Sequence, residues 1–234
     1  MNKSVMMQVI AHIHNDFKTK FGLPRQSGLV TELSSVIVFE PPYRDPAACR
    51  GLEDYSHLWL LWQFSGSHEK NWSATVRPPR LGGNRRMGVF ATRSPYRPNP
   101  VGLSSVILKK IVYDEGQGPL LFVGGADLMD GTPIFDIKPY LPFTDSHPEA
   151  VGGFAAAIAP YRLQVEFPSE LLMRIPLEKR ESLLGVLAED PRPAYQKDPE
   201  RIYGMPFGSW DVRFRVDENG VLTVTDLICE DKKI

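Results

Sequence analysis

The residues best suited to chemistry in this sequence fall between positions 77 and 140, and they are arginines, carboxylates and prolines at short spacing. Residues 76–86 (VRPPRLGGNRR) gather Arg77, Arg80, Arg85 and Arg86 around a Gly-Gly pair. Guanidinium groups make forked contacts to phosphate or carboxylate, and glycines let backbone N–H groups approach a ligand. The plainer reading is a solvated basic loop, as most short charged runs are. Residues 93–102 (RSPYRPNPVG) follow closely. Pro95, Pro98 and Pro100 stiffen the backbone there, so Arg93, Tyr96, Arg97 and Asn99 project in set directions. Donors held in that way bind at low entropic cost, although a stiff turn between two strands would need the same prolines.

Two carboxylates, Asp127 and Asp130, stand three residues apart in 126–133 (ADLMDGTP), just before a turn. They could hold ribose hydroxyls or an amino group, act as bases, or ligate a metal. A metal is the weakest of these, because no His or Cys adjoins them in sequence and two Asp alone make a poor site. Residues 136–140 (DIKPY) add Asp136, Lys138 and Tyr140, for which a structural Asp–Lys ion pair is the simple alternative. No G-x-G-x-x-G follows a strand, and P-loop, H-E-x-x-H and G-x-S-x-G motifs are missing, so a Rossmann-type or P-loop nucleotide site has no support. His57, at a strand start, reads as packed; His68, in a polar loop, is the better functional candidate. Trp59 and Trp62 read as core.

The elements that must position these groups are mostly strands. Alternation or apolar runs predict strands over residues 5–13, 35–39, 57–64, 87–92, 101–112 and 120–124. The run HLWLLWQF at 57–64 suits a strand buried on both faces. Asp45-Pro46 should open a short helix, and 114–118 a hairpin turn. Residues 136–140 should begin the last loop of this region. Beyond it the pattern changes. A strand is expected at 161–167, and helical spacing runs over 169–189 with Leu177, Leu184 and Leu187 on one face and a break at Pro176. A hairpin joins 210–216 to 221–227. The expected organisation is a main β domain over 1–145, of barrel or sandwich type, a linker at 146–159, and a smaller α+β unit over 160–234.

The bulk numbers agree with an ordinary globular chain. Its 234 residues are 42% hydrophobic and 24% charged, with a formal net charge of −1 that would draw it to neither nucleic acid nor anionic lipid as a whole. Any such binding must come from a local basic patch. The 21 prolines cluster beside apolar strands rather than spreading as in a linker, which marks rigid loops where binding sites are common. Two cysteines without a motif, no signal-like start and no long apolar run lead to the expectation of a cytoplasmic, thiol-reduced chain with no membrane span.

Several stretches resemble the TrmO family, also called TsaA-like or YaeB-like. They are 21–29 (FGLPRQSGL), 50–64 (RGLEDYSHLWLLWQF), 75–104 (TVRPPRLGGNRRMGVFATRSPYRPNPVGLS), 125–143 (GADLMDGTPIFDIKPYLPF) and, less strongly, 189–196 (EDPRPAYQ). The resemblance implies a single-sheeted β-barrel with a small C-terminal α+β domain, acting as a homodimer. It implies transfer of a methyl group from S-adenosyl-L-methionine to N6 of threonylcarbamoyl-adenosine, next to the anticodon of threonine tRNA. Carried over position by position, cofactor contacts fall on Pro24, Arg25, Gln26, His68, Arg93, Leu103 and on Asp127, Leu128, Met129 and Asp130. Beside that carry-over, Arg77, Arg80, Arg85, Arg86 and Arg97 are expected to hold RNA phosphates, with Lys18 and Lys20 as secondary contacts. Asp136, Tyr140 and the Asp127/Asp130 pair are candidate bases, with Lys138 an electrostatic partner. Two rival readings share these residues: a non-catalytic RNA-binding barrel, and an enzyme using the same pocket on a different small substrate.

Overall fold

The computed structural model describes residues 5–67, 72–78, 85–156, 161–193, 196 and 198–229. In chain order the first strands are β1 (Ala11–His14), β2 (Ser34–Phe39), β3 (His57–Gln63), β4 (Thr75–Val76), β5 (Met87–Gly88), β6 (Val101–Asp114), β7 (Gly118–Gly124) and β8 (Thr132–Pro139). Six of them close into an antiparallel barrel in the order β1-β2-β7-β6-β3-β8, while β4 and β5 pair as a small separate ribbon. The single-sheeted barrel expected from the sequence is therefore present.

A barrel has one interior, so each strand buries alternate residues. In β3, Leu58, Leu60 and Trp62 point inward and are nearly inaccessible, whereas Trp59, Leu61 and Gln63 lie outward and half-buried. This corrects the expectation that 57–64 is buried on both faces. His57 is likewise exposed rather than packed, with Nδ1 2.9 Å from the Ser56 hydroxyl. Inward residues Ala11, Ile13, Ile37, Val106, Leu121, Val123 and Ile134 complete the core. Each buried Leu or Ile contributes roughly 1.5–3 kcal/mol.

Three further boundaries differ from the sequence reading. Only Ala11–His14 of the 5–13 segment and its neighbour pairs as a strand. Residues 87–92 pair only at Met87–Gly88 before a tight turn at Val89–Ala91, because the Pro-rich loop that follows leaves no partner strand beside them. Residues 136–139 belong to β8, where Asp136 lies opposite Leu61 and Lys138 opposite Trp59, rather than to a loop. Asp45 does cap its turn, its carboxylate accepting the Ala47 N–H at 2.8 Å.

After the short helix α1 (Pro142–Asp145), a second sheet forms from β9 (Gln164–Glu166), β10 (Tyr203–Phe207), β11 (Trp210–Val216) and β12 (Val221–Cys229), ordered β10-β11-β12-β9 with β9 parallel to β12. Helices α2 (Ser169–Leu172) and α3 (Leu177–Ala188) accompany it, separated at Pro176 as expected. The buried face of α3 is Leu183, Val186 and Leu187; Leu177, assigned to that face from spacing, is exposed because it opens the helix.

The core of this second sheet is not made by the C-terminal residues alone. Phe17, Val30 and Leu33, from the segment between β1 and β2, are buried within it, and Phe17 meets Phe207 edge-on at 5.6 Å. Polar ties reinforce the packing. Lys179 pairs with Asp16 at 2.5 Å, the Ser182 hydroxyl donates to the Glu32 carbonyl at 2.9 Å, and Arg162 donates to the Leu29 carbonyl at 2.8 Å. Segment 15–33 thus lies between the barrel and the second sheet. Among the described residues no helix is long and apolar enough to cross a membrane.

Candidate active site

One cleft of about 480 Å³ opens at the mouth of the barrel, in the range usual for small-molecule sites. Pro24, Arg25 and Gln26 enter it from the 15–33 segment, Arg93 and Arg97 from the Pro-rich loop, and Leu103 from β6. Asp127, Leu128 and Met129 enter from the turn after β7. Most of the cofactor positions carried over from the resemblance, distant in sequence, are therefore brought together. Lys20, expected on RNA, also lines the cleft, and its ammonium donates to the Gly66 carbonyl at 2.7 Å.

The turn that delivers Asp127 depends on Gly125. Its φ of +72° lies in the left-handed region that glycine adopts without a Cβ penalty. Its carbonyl accepts the Gly28 N–H at 2.9 Å and its own N–H reaches the Leu33 carbonyl at 3.1 Å, which latches the 24–28 loop to the carboxylate's strand. Arg93 donates to the Gln26 side-chain oxygen across the same gap. From the other side, Arg25 donates to the Asp190 carbonyl at 3.1 Å, so the end of α3 also fixes the loop.

Asp127 is the carboxylate of the cleft. Burial pushes its carboxyl above the ordinary carboxylate range, against the pull of the Ser104 hydroxyl, the Ser27 backbone N–H and the charge of Arg93. Ser104 donates to Asp127 at 2.6 Å and accepts the Trp62 indole N–H at 2.9 Å. Trp62 and Phe64, with ring centroids 4.4 Å apart, form an aromatic wall with Leu103 and Leu128. The arrangement offers a cationic corner, a buried carboxylate and an apolar, partly aromatic wall.

Other expected residues sit elsewhere. Asp130 lies outside the cleft lining, where its carboxylate meets His14 Nδ1 and the Asn15 N–H, each at 3.1 Å. A histidine thus does adjoin this acid in space. Even so, among the described residues no group of three His, Cys, Asp or Glu could hold a metal ion. Asp136 and Lys138 form a half-exposed ion pair at 2.8 Å on the outer face of β8, away from the cleft lining. Tyr140 packs at 5.5 Å on Trp59, which does line the cleft and whose indole donates to Asp145 at 2.8 Å. Arg97 lines the cleft, but its guanidinium is turned back into its own loop, donating to the Thr92 carbonyl at 2.7 Å. Arg77, Arg85, Arg86 and Lys18 are exposed. His68 and Arg80 lie outside the described residues.

Ser104, Trp62, Phe64 and Gly102 were not singled out as functional from the sequence. The available signal was phase. Ser104 and Gly102 share the inward register of β6 with Val106, and a hydroxyl or a bare glycine on an apolar face asks for a specific neighbour.

Fold and cleft together define a class: a closed, single-sheeted antiparallel barrel with a small-molecule-sized cleft that gathers arginines and a buried carboxylate, and with a second small sheet. Comparison with known proteins narrows it. The tRNA-methyltransferase O N-terminal domain family matches residues 12–146, and the TrmO C-terminal domain family matches residues 160–228. The chain belongs to the tRNA-methyltransferase O family. It is 45% identical over 225 residues to the tRNA (adenine(37)-N6)-methyltransferase of Escherichia coli, covering 93% of this chain and 95% of that protein. It is 39% identical over 226 residues to a putative S-adenosylmethionine-dependent methyltransferase of Pseudomonas aeruginosa, covering 93% and 95%. The crystal structure of TrmO from P. aeruginosa superposes with a TM-score of 0.76 at 32% identity, over 98% of this chain and 99% of that one.

Proposed function

We propose that this chain methylates N6 of the adenosine next to the anticodon in tRNA, with S-adenosyl-L-methionine as donor. The observation that carries the reading is the convergence of Pro24–Gln26, Arg93, Leu103 and Asp127–Met129 on one cleft, in a chain whose relatives are so named. The bound donor supplies an electrophilic methyl carbon on a sulfonium. The residues of the cleft suit its other parts. Arg93 offers a guanidinium to a carboxylate, and Asp127 a buried negative charge to an ammonium or ribose hydroxyls. Leu103 and the Trp62–Phe64 wall give an adenine an apolar face.

The chain's own contribution is alignment: holding the methyl carbon in line with the acceptor nitrogen shortens a bimolecular search into one geometry. The acceptor nitrogen's lone pair forms the new C–N bond as the C–S bond breaks, its electrons staying on sulfur, and the nitrogen gives up a proton. Asp136, Tyr140 and Asp127 are the candidates to receive it, with Lys138 an electrostatic partner. Trp59 links Tyr140 to the cleft, and Leu61 joins Leu103 to Asp136 across the outer face, which favours an acceptor approaching from that side.

We assign threonylcarbamoyl-adenosine of threonine tRNA as the acceptor, and a homodimer as the working form, in which a second copy completes the cleft's open rim. Exposed Arg77, Arg85, Arg86 and Lys18 would hold phosphates, and the C-terminal sheet would position the anticodon arm. Such an acceptor sets the chain to work in the cytoplasm.

Calorimetry with S-adenosyl-L-methionine and nucleoside mass spectrometry of threonine tRNA, from cells with and without the gene, test the reading. Saturable binding and a methylated modified adenosine that disappears with the gene are expected; no binding at millimolar donor would sink it. Arg93→Ala should weaken donor affinity about tenfold or more, as loss of a charged hydrogen bond does, without lowering the melting temperature. Unchanged affinity would remove Arg93 from the carboxylate.

A further inference from the structure

We propose that Ser104 is a positioning residue of the cleft: its hydroxyl, oriented by Trp62, aims the Asp127 carboxylate at the ligand and keeps that carboxylate an acceptor. The proposal rests on the reading of Asp127 as a ligand contact.

Three observations carry it. First, Ser104 is 2% exposed, on the inward face of β6 opposite Leu60, where an unpaired hydroxyl would be costly. It has a reason to be there only through its partners. Second, with Asp127 as a carboxylate the chain of hydrogen bonds has one direction. An indole N–H can only donate, so at 2.9 Å Trp62 occupies a lone pair of the Ser104 oxygen. The serine's single proton is then free to point to Asp127, 2.6 Å away. While Asp127 is ionised it has no proton of its own, so its Oδ1 accepts it. Third, Gly102, the cross-strand partner of Trp62, leaves room for the indole: a Cβ there would fall 2.2 Å from the ring. The strand is built around the tryptophan's position, and the tryptophan around the serine.

The consequence is electrostatic as well as geometric. A carboxylate sinking into a barrel mouth tends to protonate, and a neutral carboxyl would serve poorly against an ammonium. The Ser104 proton and the Ser27 N–H oppose that tendency from below. Arg93 is the cation facing Asp127, and Lys20, Arg25 and Arg97 also line the cleft. Asp127 is the carboxyl group of the cleft lining. Its carboxyl range is raised; a cationic ligand therefore binds progressively less as pH falls below neutral, before the ordinary carboxylate range is reached.

The test is donor affinity by calorimetry on the full chain with S-adenosyl-L-methionine, across about pH 5 to 8, in four variants. Ser104→Ala is expected to bind about tenfold more weakly at neutral pH and to lose binding at a higher pH than the parent, because the charged carboxylate has lost a donor. Asp127→Asn should bind weakly with a flat acidic profile. The double variant should bind no more weakly than Asp127→Asn alone, since Ser104 acts through that carboxylate. Trp62→Phe, which keeps an aromatic side chain but removes the indole N–H, should show the same upward movement to a smaller degree, and stands in for Ser104→Ala if that variant does not fold. A parental pH profile in Ser104→Ala, or additive losses in the double variant, would overturn the role of Ser104. Normal affinity and profile in Asp127→Asn would instead overturn the reading of Asp127, and this proposal with it.

Discussion

Gly102→Ala should lower stability by about 3 kcal/mol, combining overpacking of a filled core with one lost buried hydrogen bond. The added Cβ would meet Trp62 Cε2 at 2.2 Å and Cζ2 at 2.4 Å, well inside any real contact. Both are ring atoms of a side chain that is 8% exposed and held by Ser104 and Phe64, so the strain cannot be relieved by swinging a flexible tip. Either β3 and β6 move apart or the indole leaves its slot. In the second case Ser104 loses its donor and the aromatic wall of the cleft is displaced. For a chain of this size the melting temperature should fall by roughly 6–12 °C. Thermal unfolding followed by tryptophan fluorescence, with donor calorimetry on the same sample, checks both parts. A stable variant with parental affinity would mean that the ring has room the geometry does not show.

What the sequence allowed and what it withheld divide along a physical line. Strand existence was legible wherever apolar residues ran or alternated, as at 57–64, and the hairpin from Trp210–Val216 to Val221–Cys229 was plain from its turn residues. Local chemistry was legible too, because Asp45 needs only its own turn to act as a cap. Closure of the barrel came from the family resemblance and not from the strand pattern, since nothing in β1 names β8 as its neighbour. Its consequence, a single buried face, was missed for the same reason. The resemblance supplied the members of the cleft; their grouping then followed from the barrel's register. The residues that hold them in place were invisible. Ser104 looks like any strand serine until Trp62 and Asp127 come within reach of it. Asp127 and Asp130 look like a pair three residues apart, yet the turn sends one into the cleft and the other to His14. Residues 15–28 look like no more than a polar, Gly- and Pro-containing loop, yet Phe17 there, with Val30 and Leu33 just beyond it, finds its burial against residues more than a hundred positions away.

That long-range burial makes the strongest case for coupling between the C-terminal unit and the cleft, and Arg192→Met should expose it. Asp190 and Arg192 form an almost fully buried ion pair, with side chains 7% and 9% exposed and two contacts at 2.8 and 3.0 Å. Tyr161 donates to the same carboxylate. Removing one member of such a pair strands the other charge, and a loss of about 3–5 kcal/mol is expected at neutral pH. The pH dependence gives the signature. Burial works against the Asp190 charge, but Arg192 and Tyr161 outweigh it and hold the carboxyl below its usual range. In the parent, that contribution is present above the unfolded carboxylate range and is lost as pH falls through the lower folded one. In Arg192→Met the buried carboxyl, without its cation, should titrate above its ordinary range, so acid relieves it. The stability gap between variant and parent should therefore narrow as pH falls, which urea unfolding at neutral and acidic pH measures directly. The coupling follows from the backbone. Asp190 has a φ of +52°, and its carbonyl is the acceptor for Arg25. Loosening the pair frees that turn, and with it the loop carrying Pro24, Arg25 and Gln26 into the cleft. Donor affinity should drop in Arg192→Met even where the chain remains folded, although Arg192 does not line the cleft. Parental affinity in a destabilised variant would show instead that the latch from Gly125 to Gly28 holds the loop by itself.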